Sequence, residues 1–257
     1  PKLDERTGEL LFFNYGLAAP HFHYGEISAE GELQRYVEVP MPGPRLPHDM
    51  AFTEHYAIVN DFPMFWDPQM MEHGLYIPRF HKDMPSRFAV IPRHGVEGEI
   101  RWFEADPTYV LHWVNAYEDG DEIVLDGFFQ HSPAIAPDRR ATFEENLFKY
   151  LDVTAFEARP HRWRFDLRTG ACTEEPRSDE FREFGMINGT FGGRRARWSY
   201  HAIPAEGWFG FTGLAKFDLE TGDEQRYELP PGVFASETAM APRLGSNAED
   251  DGYLVTI

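Results

Sequence analysis

Short apolar runs, not long helical stripes, organise this chain. Residues 10–13, 57–59, 88–91, 100–103, 109–114, 122–126, 163–165 and 215–217 are dominated by Val, Ile, Leu and aromatics. Gly, Pro, Asp and Asn separate them. Apolar runs this short, bounded by turn formers, predict strands buried between other layers. Residues 141–151 break the pattern. They carry Phe143, Leu147 and Leu151 at a spacing of four, with Glu144 and Glu145 early, and predict one short helix inserted in a loop.

The sequence Asp-x-x-Thr-Gly recurs three times, at Asp4–Gly8, Asp166–Gly170 and Asp218–Gly222, each copy beside such a run. An Asp side chain bonds the backbone two residues on and Gly accepts positive φ, so each copy predicts a hairpin turn. The second and third copies are 52 residues apart, and the first and second 162, three times 54. A period near 50 is that of a four-stranded propeller blade. A common turn recurring by coincidence is the alternative. No linker or low-complexity stretch interrupts the chain, so residues 1–257 read as one domain. The expected architecture is all-β, a partial propeller of about four to five blades with one short helical insertion.

Composition narrows the function. At 42% hydrophobic the chain buries a core and is not a disordered acidic tail. A formal charge of −19 argues against a nucleic-acid surface. A lone Cys172 excludes a disulfide framework and a cysteine zinc site. No apolar run reaches the 18 or so residues of a membrane span. These features point to a cytoplasmic protein. A charge of −19 disfavours anionic lipid, while peripheral contact with a membrane through an apolar patch stays open.

Eleven His are many for 257 residues. His48 and His112 stand apart because each lies among apolar residues at the end of a strand candidate. An imidazole there needs partners for both nitrogens, and a metal on one with a carboxylate on the other would supply them. No His-Glu-x-x-His or Cys/His cluster is present. In a propeller, however, equivalent strands of different blades face one axis, so ligands about one blade apart can converge on one ion. Glu118 and Asp119 beside the His112 segment suggest acid–base chemistry, but Glu118 is read as structural.

These segments resemble the carotenoid cleavage oxygenase family, which includes apocarotenoid and lignostilbene dioxygenases and the retinoid isomerase. Pro47-His48-Asp49-Met50-Ala51-Phe52-Thr53-Glu54-His55-Tyr56 resembles its His-Asp-Phe-x-x-Thr-x-x-Tyr block. His112-Trp113-Val114-Asn115-Ala116-Tyr117-Glu118 is similar to His-x-x-Asn-Ala-Tyr-Glu, and Glu183-Phe184-Gly185-Met186-Ile187-Asn188 to Glu-Phe-Pro-x-Ile-Asn. Ile91-Pro92-Arg93, Gly213-Leu214-Ala215-Lys216-Phe217-Asp218 and Glu249-Asp250-Asp251-Gly252-Tyr253 match further blocks in order. Gly185 replaces a usual Pro, which is expected to loosen the strand after Glu183.

The resemblance implies a seven-bladed β-propeller with a non-haem Fe(II) on its axis, held by four His. His48 and His112 match the second and third. It implies that Glu183 holds His112 and that Glu237 serves a fourth His outside this sequence. It further implies a dioxygenase that uses O2 to split a conjugated carbon–carbon double bond of an apolar carotenoid, apocarotenoid or stilbene-type substrate into two carbonyls. Phe62, Phe65, Trp66, Phe128 and Phe129 are candidate tunnel lining, with ordinary core an equal alternative. A chain starting at Pro1 and stopping in the β-type run 252–257 is expected to be part of a longer ring and inactive by itself. A metal-dependent propeller hydrolase or lactonase, and a binding-only propeller, are the alternatives. The first would place several axial Asp, Asn or Glu ligands, and the second would tolerate loss of His48 or His112.

Overall fold

The computed structural model describes residues 1–95, 99–133, 140, 142, 145, 157–206 and 210–257. The helix expected over residues 141–151 lies outside the described residues, save for positions 142 and 145. Of those two, Glu145 is helical and exchanges hydrogen bonds with Thr142; the other described helical structure is one turn, α1 (Pro68–Glu72), and a 3-10 turn at Gly189–Phe191. The rest is strand and loop.

Four antiparallel sheets of four strands follow one another along the chain, each a simple meander. The first holds β1 (Lys2–Asp4), β2 (Glu9–Tyr15), β3 (Phe22–Ile27) and β4 (Leu33–Glu38). The second holds β5 (Ala51–Phe52), β6 (Tyr56–Asp61), β9 (Ser86–Pro92) and β10 (Arg101–Ala105), with a hairpin of β7 (Met64–Trp66) and β8 (Pro78–Phe80) inserted at its middle. The third holds β11 (Trp113–Asp119), β12 (Glu122–Phe129), β13 (Arg159–Asp166) and β14 (Cys172–Pro176). The fourth holds β15 (Glu183–Met186), β16 (Trp198–Pro204), β17 (Phe211–Asp218) and β18 (Glu224–Glu228). A two-stranded sheet of β19 (Ala239–Pro242) and β20 (Gly252–Val255) comes last. Four blades and a hairpin agree with the expected four to five blades.

The middle strands carry the core. All residues of β12 after Glu122 are buried, and β9 and β6 are nearly as enclosed. A strand sandwiched on both faces needs a continuous apolar run, which is the pattern the sequence shows. The seams between blades are aromatic. Phe88 and Phe103 of the second blade pack on Phe165 of the third at ring distances of 5.1 and 5.0 Å, and Phe88 also meets Trp113 of the third edge-on at 5.9 Å. Such pairs add roughly 0.5–1.5 kcal/mol each beyond area burial. Phe62, Phe128 and Phe129 lie in the hydrophobic core, being 2%, 0% and 7% exposed, so the core alternative holds for all three.

Arginines on or just past the third strands stitch neighbouring blades. Arg93 donates to Asp4 (2.9 Å) and Glu9 (2.6 Å) of the first blade and to the Thr53 carbonyl (3.0 Å). Arg162 pairs bidentately with Asp126 (2.8 and 2.9 Å) and reaches the Leu219 carbonyl of the fourth blade at 3.0 Å. Glu118 accepts from Thr53 Oγ1 (2.6 Å) and from both the main-chain and ring nitrogens of His55 (2.9 Å each). Its carboxylate is a bridge between the second and third blades.

The three Asp-x-x-Thr-Gly segments are hairpin turns of one design. In each, the Gly N–H closes on the Asp carbonyl at 2.8–2.9 Å, and the Asp side chain accepts main-chain N–H groups inside the turn. The period drawn from them needs correction. Asp166 and Asp218 end third strands, whereas Asp4 ends a first strand, so the spacing of 162 is not three repeats. All three still lie on the same end of the sheets, because first-to-second and third-to-fourth connections share it in a meander. The opposite end carries the long connection 62–85.

Gly185 lies where the ladder is irregular, the register shifting between Glu183 and Met186. A Cβ there would lie 2.4 Å from Val114 Cγ2 and 2.9 Å from the Phe128 ring, so the position is also a close approach. Gly170 has φ +80° with nothing within 4 Å of a built Cβ. Gly170→Ala should therefore cost about 1 kcal/mol from the left-handed backbone alone. Gly185→Ala should cost roughly 1–3 kcal/mol from overpacking. Denaturant midpoints of the two variants check both, and a neutral Gly185→Ala would contradict the packing.

Candidate metal centre

Each matched residue sits where an innermost strand begins. His48 is three residues before β5, His112 immediately precedes β11, Glu183 opens β15, and Glu237 is two residues before β19. These starts lie on the end of the sheets away from the Asp-x-x-Thr-Gly turns. The strands themselves adjoin, β11 touching both β5 and β15. Four positions spread over 190 residues thus gather at one axis.

The approach to His112 is not strand, although residues 109–114 read as one. Polar bonds pin it as a loop. Thr108 N donates to Ser86 Oγ (2.9 Å), Gln130 Nε2 to the Tyr109 carbonyl (2.9 Å), and the Tyr109 hydroxyl to the Leu46 carbonyl (2.9 Å). Tyr109 and Val110 are buried between blades, and the ladder starts only at Trp113. His112 is thereby delivered to the axis at the last residue before pairing begins.

His48 Nε2 and His112 Nε2 face each other at 3.2 Å, with the rings nearly perpendicular at 84°. The other nitrogen of His112, Nδ1, is 2.6 Å from Glu183 Oε2. Glu183 is 1% exposed, and its second oxygen, Oε1, is buried without a hydrogen-bond partner among the described residues. A local irregularity aims it. The register shifts between Glu183 and Met186, and Phe184 takes φ +51°. That backbone places the Phe184 N–H on Glu183 Oε2 and the Phe184 ring against His112 at 4.6 Å. A non-Gly residue in this region costs about 1–2 kcal/mol.

The two imidazoles are shifted in opposite directions. Burial opposes charge on His112, but the hydrogen bond and charge of Glu183 outweigh it and raise the pKa above the ordinary value. His48 moves down, first through burial of part of its half-open ring and then through repulsion from His112. Glu237 is exposed, hydrogen-bonds neither His, and is close enough for its charge to act on both. Among the described residues no third His, Cys, Asp or Glu joins the pair to make a metal set of three.

A cavity of about 230 Å³ runs from His112 along the inner strands, bordered by Asp49, Met50, His112, Phe184, Met186 and Glu237. Of the remaining lining candidates, Phe65 is stacked on His81 at 4.2 Å under Arg45, and Trp66 leans on Tyr76; neither borders this cavity. Asp49 does, yet no role was read for it from sequence. Its signal was adjacency to His48. No described helix is long and apolar enough to cross a membrane.

The sequence profile described as RPE65, retinal pigment epithelial membrane protein, matches residues 1–257. A carotenoid 9,10(9',10')-cleavage dioxygenase of Pisum sativum is 32% identical over 99% of this chain and 49% of its own length. A carotenoid cleavage oxygenase of Mycobacterium tuberculosis is 28% identical, over 99% of this chain and 59% of its own. Among solved structures, Pseudomonas brassicacearum lignostilbene dioxygenase superposes with a TM-score of 0.82 at 25% identity, covering all of this chain and 56% of that one. Cobalt-substituted Synechocystis apocarotenoid oxygenase does so at 0.78 and 26%, covering 96% and 51%. The chain thus spans about half the length of the relatives it matches. With its blades in the same arrangement and its sequence matched from end to end, the chain belongs to the RPE65 family of carotenoid cleavage oxygenases.

Proposed function

We propose that the protein containing this chain is a non-haem Fe(II) dioxygenase. It splits a conjugated carbon–carbon double bond of an apolar carotenoid, apocarotenoid or stilbene with O2, one oxygen atom ending as a carbonyl on each fragment. The observation that carries this reading is the facing pair of Nε2 atoms. Glu183 accepts a hydrogen bond from the Nδ1–H of His112, which in the neutral ring leaves the Nε2 lone pair aimed at His48. Two lone pairs 3.2 Å apart repel unless a proton or a cation lies between them. Metal–imidazole bonds are about 2.0–2.1 Å, so two ligands at right angles on one ion sit about 3 Å apart.

Imidazole nitrogen suits Fe(II), and a neutral ligand set leaves the ion's charge to be balanced nearby. In this reading His48 and His112 hold the ion, Glu183 fixes the tautomer and tilt of His112, and Glu237 adds charge and partners a fourth His beyond these residues. The ion, when bound, supplies the activation of O2. The chain's own work is to present the two nitrogens and keep water from the reacting carbons with the apolar cavity wall of Met50, Phe184 and Met186. The substrate class rests on the names of the pea, mycobacterial and Pseudomonas relatives, and the metal on the cobalt form of the Synechocystis one. With two of four proposed ligands, residues 1–257 alone are expected to hold Fe(II) weakly and to be inactive.

In the full-length protein, His48→Ala and His112→Ala should each lower iron content and O2-dependent cleavage. The loss should exceed the about 10–100-fold that removing an outer partner costs, which is the range expected for Glu183→Gln. Iron analysis checks this, and full occupancy in both His variants would contradict it.

The metal-free protein gives a second check. His112 should titrate above, and His48 below, the ordinary value of about 6.5. Because the folded His112 pKa is raised, its stabilising pair with Glu183 is fully present below the unfolded value and is lost as pH rises through the folded one. His48 has the opposite sign. Its contribution is present above the unfolded value and lost as pH falls. Ring resonances followed by NMR should show this order, with Glu183→Gln lowering the His112 value. An unmoved His112 would contradict the coupling.

A further inference from the structure

We infer that Asp49 is a positioning residue that sets the separation of His48 and His112. This rests on the reading of those two side chains as metal ligands. Asp49 follows His48 in sequence, but its side chain bonds the segment of His112. Oδ2 accepts from Trp113 N at 3.0 Å and from Lys2 Nζ at 2.8 Å, while Oδ1 accepts from Met50 N at 2.8 Å. One carboxylate therefore joins the main chain just past His48, the main chain just past His112, and the start of β1.

The need for such a tie follows from topology. His48 and His112 both lie outside the strand ladders, since β5 begins at Ala51 and β11 at Trp113. The strands β5 and β11 belong to different sheets, so no ladder bond joins them. Packing alone would leave the two chain ends free to slide by fractions of an ångström. A charge-assisted bond from an 86% enclosed carboxylate to the Trp113 N–H removes that freedom. Glu183 does a different job. It fixes the ring of His112, whereas the ring of His48 has no hydrogen bond among the described residues except that to His112. The place of His48 relative to its partner then falls to the backbone, and Asp49 is the side chain that spans the two backbones.

The test loads full-length protein with Co(II), whose visible bands report ligand geometry as well as occupancy. Asp49→Ala removes both acceptors. Asp49→Asn keeps the shape and one carbonyl, enough for Trp113 or Met50 but not both, and gives Lys2 no charge. Gly170→Ala, in a turn at the far end of the sheets, controls for a general loss of stability. Asp49→Ala is expected to weaken Co(II) binding about tenfold or more and to move the bands. Asp49→Asn should recover part of both, and Gly170→Ala should bind with unchanged bands. Asp49→Ala binding within about twofold of wild type, with unchanged bands, overturns the inference. If that variant does not fold, unaltered affinity and bands in Asp49→Asn overturn it instead. No Co(II) uptake by the unsubstituted protein overturns the metal reading itself and this role with it, and the wild-type control tells that failure from one confined to Asp49.

Discussion

Two imidazole Nε2 atoms held 3.2 Å apart, one ring hydrogen-bonded through its Nδ1 to a buried carboxylate, constrain how the rest of the molecule is built. Such a pair is unfavourable unless something positive lies between the rings, so it survives only where the chain has little freedom to relax. The histidines are 64 residues apart and come from different sheets, and Glu183 comes from a third. A propeller meets that demand economically in chain length. Every blade starts its innermost strand at the same end of the axis, and one residue from each start suffices to build a site.

The two ends of the blades divide the work. At one end tight Asp-x-x-Thr-Gly turns close the hairpins with local hydrogen bonds. At the other lie the histidines and the long connection of residues 62–85. Between them, aromatic seams and the Arg93 and Arg162 clusters fix blade against blade. Because Arg93 and Arg162 each bond both a carboxylate and a main-chain carbonyl, removing either would leave buried charge uncompensated, which is far costlier than the pair is stabilising. Rigidity of this kind lets sub-ångström placement at the axis persist. The acidic residues near the axis are placed in the same sense. Asp49, Glu183 and Glu237 gather negative charge where a cation would otherwise stand among neutral rings.

Which elements the sequence betrayed follows from burial. Middle strands such as β6, β9, β12, β13 and β17 are largely covered on both faces, and each contains a short apolar or aromatic run that is legible even where paired polar residues such as Arg162 interrupt it. Outer strands β4, β14 and β18 are largely exposed, so their polar sequences carry no run to read. Inner strands such as β5 and β1 have two and three residues, too few for any period. The turn motif marked hairpins correctly but not blade phase, since its chemistry is indifferent to which strands it joins. His48 and His112 could be singled out by their apolar setting, while Glu183 came from resemblance alone. Its approach to His112 depends on a bulge at Phe184 that no propensity encodes. Asp49 was invisible as a contributor because its partners, Lys2 and Trp113, are 47 and 64 residues away.

That His48 and His112 share one ion can be seen most directly by diffraction from crystals of the full-length protein loaded with Co(II), with data collected at the cobalt absorption edge. The account predicts a single anomalous peak within bonding distance of both Nε2 atoms. A peak bound elsewhere, or none between the two rings, would contradict it.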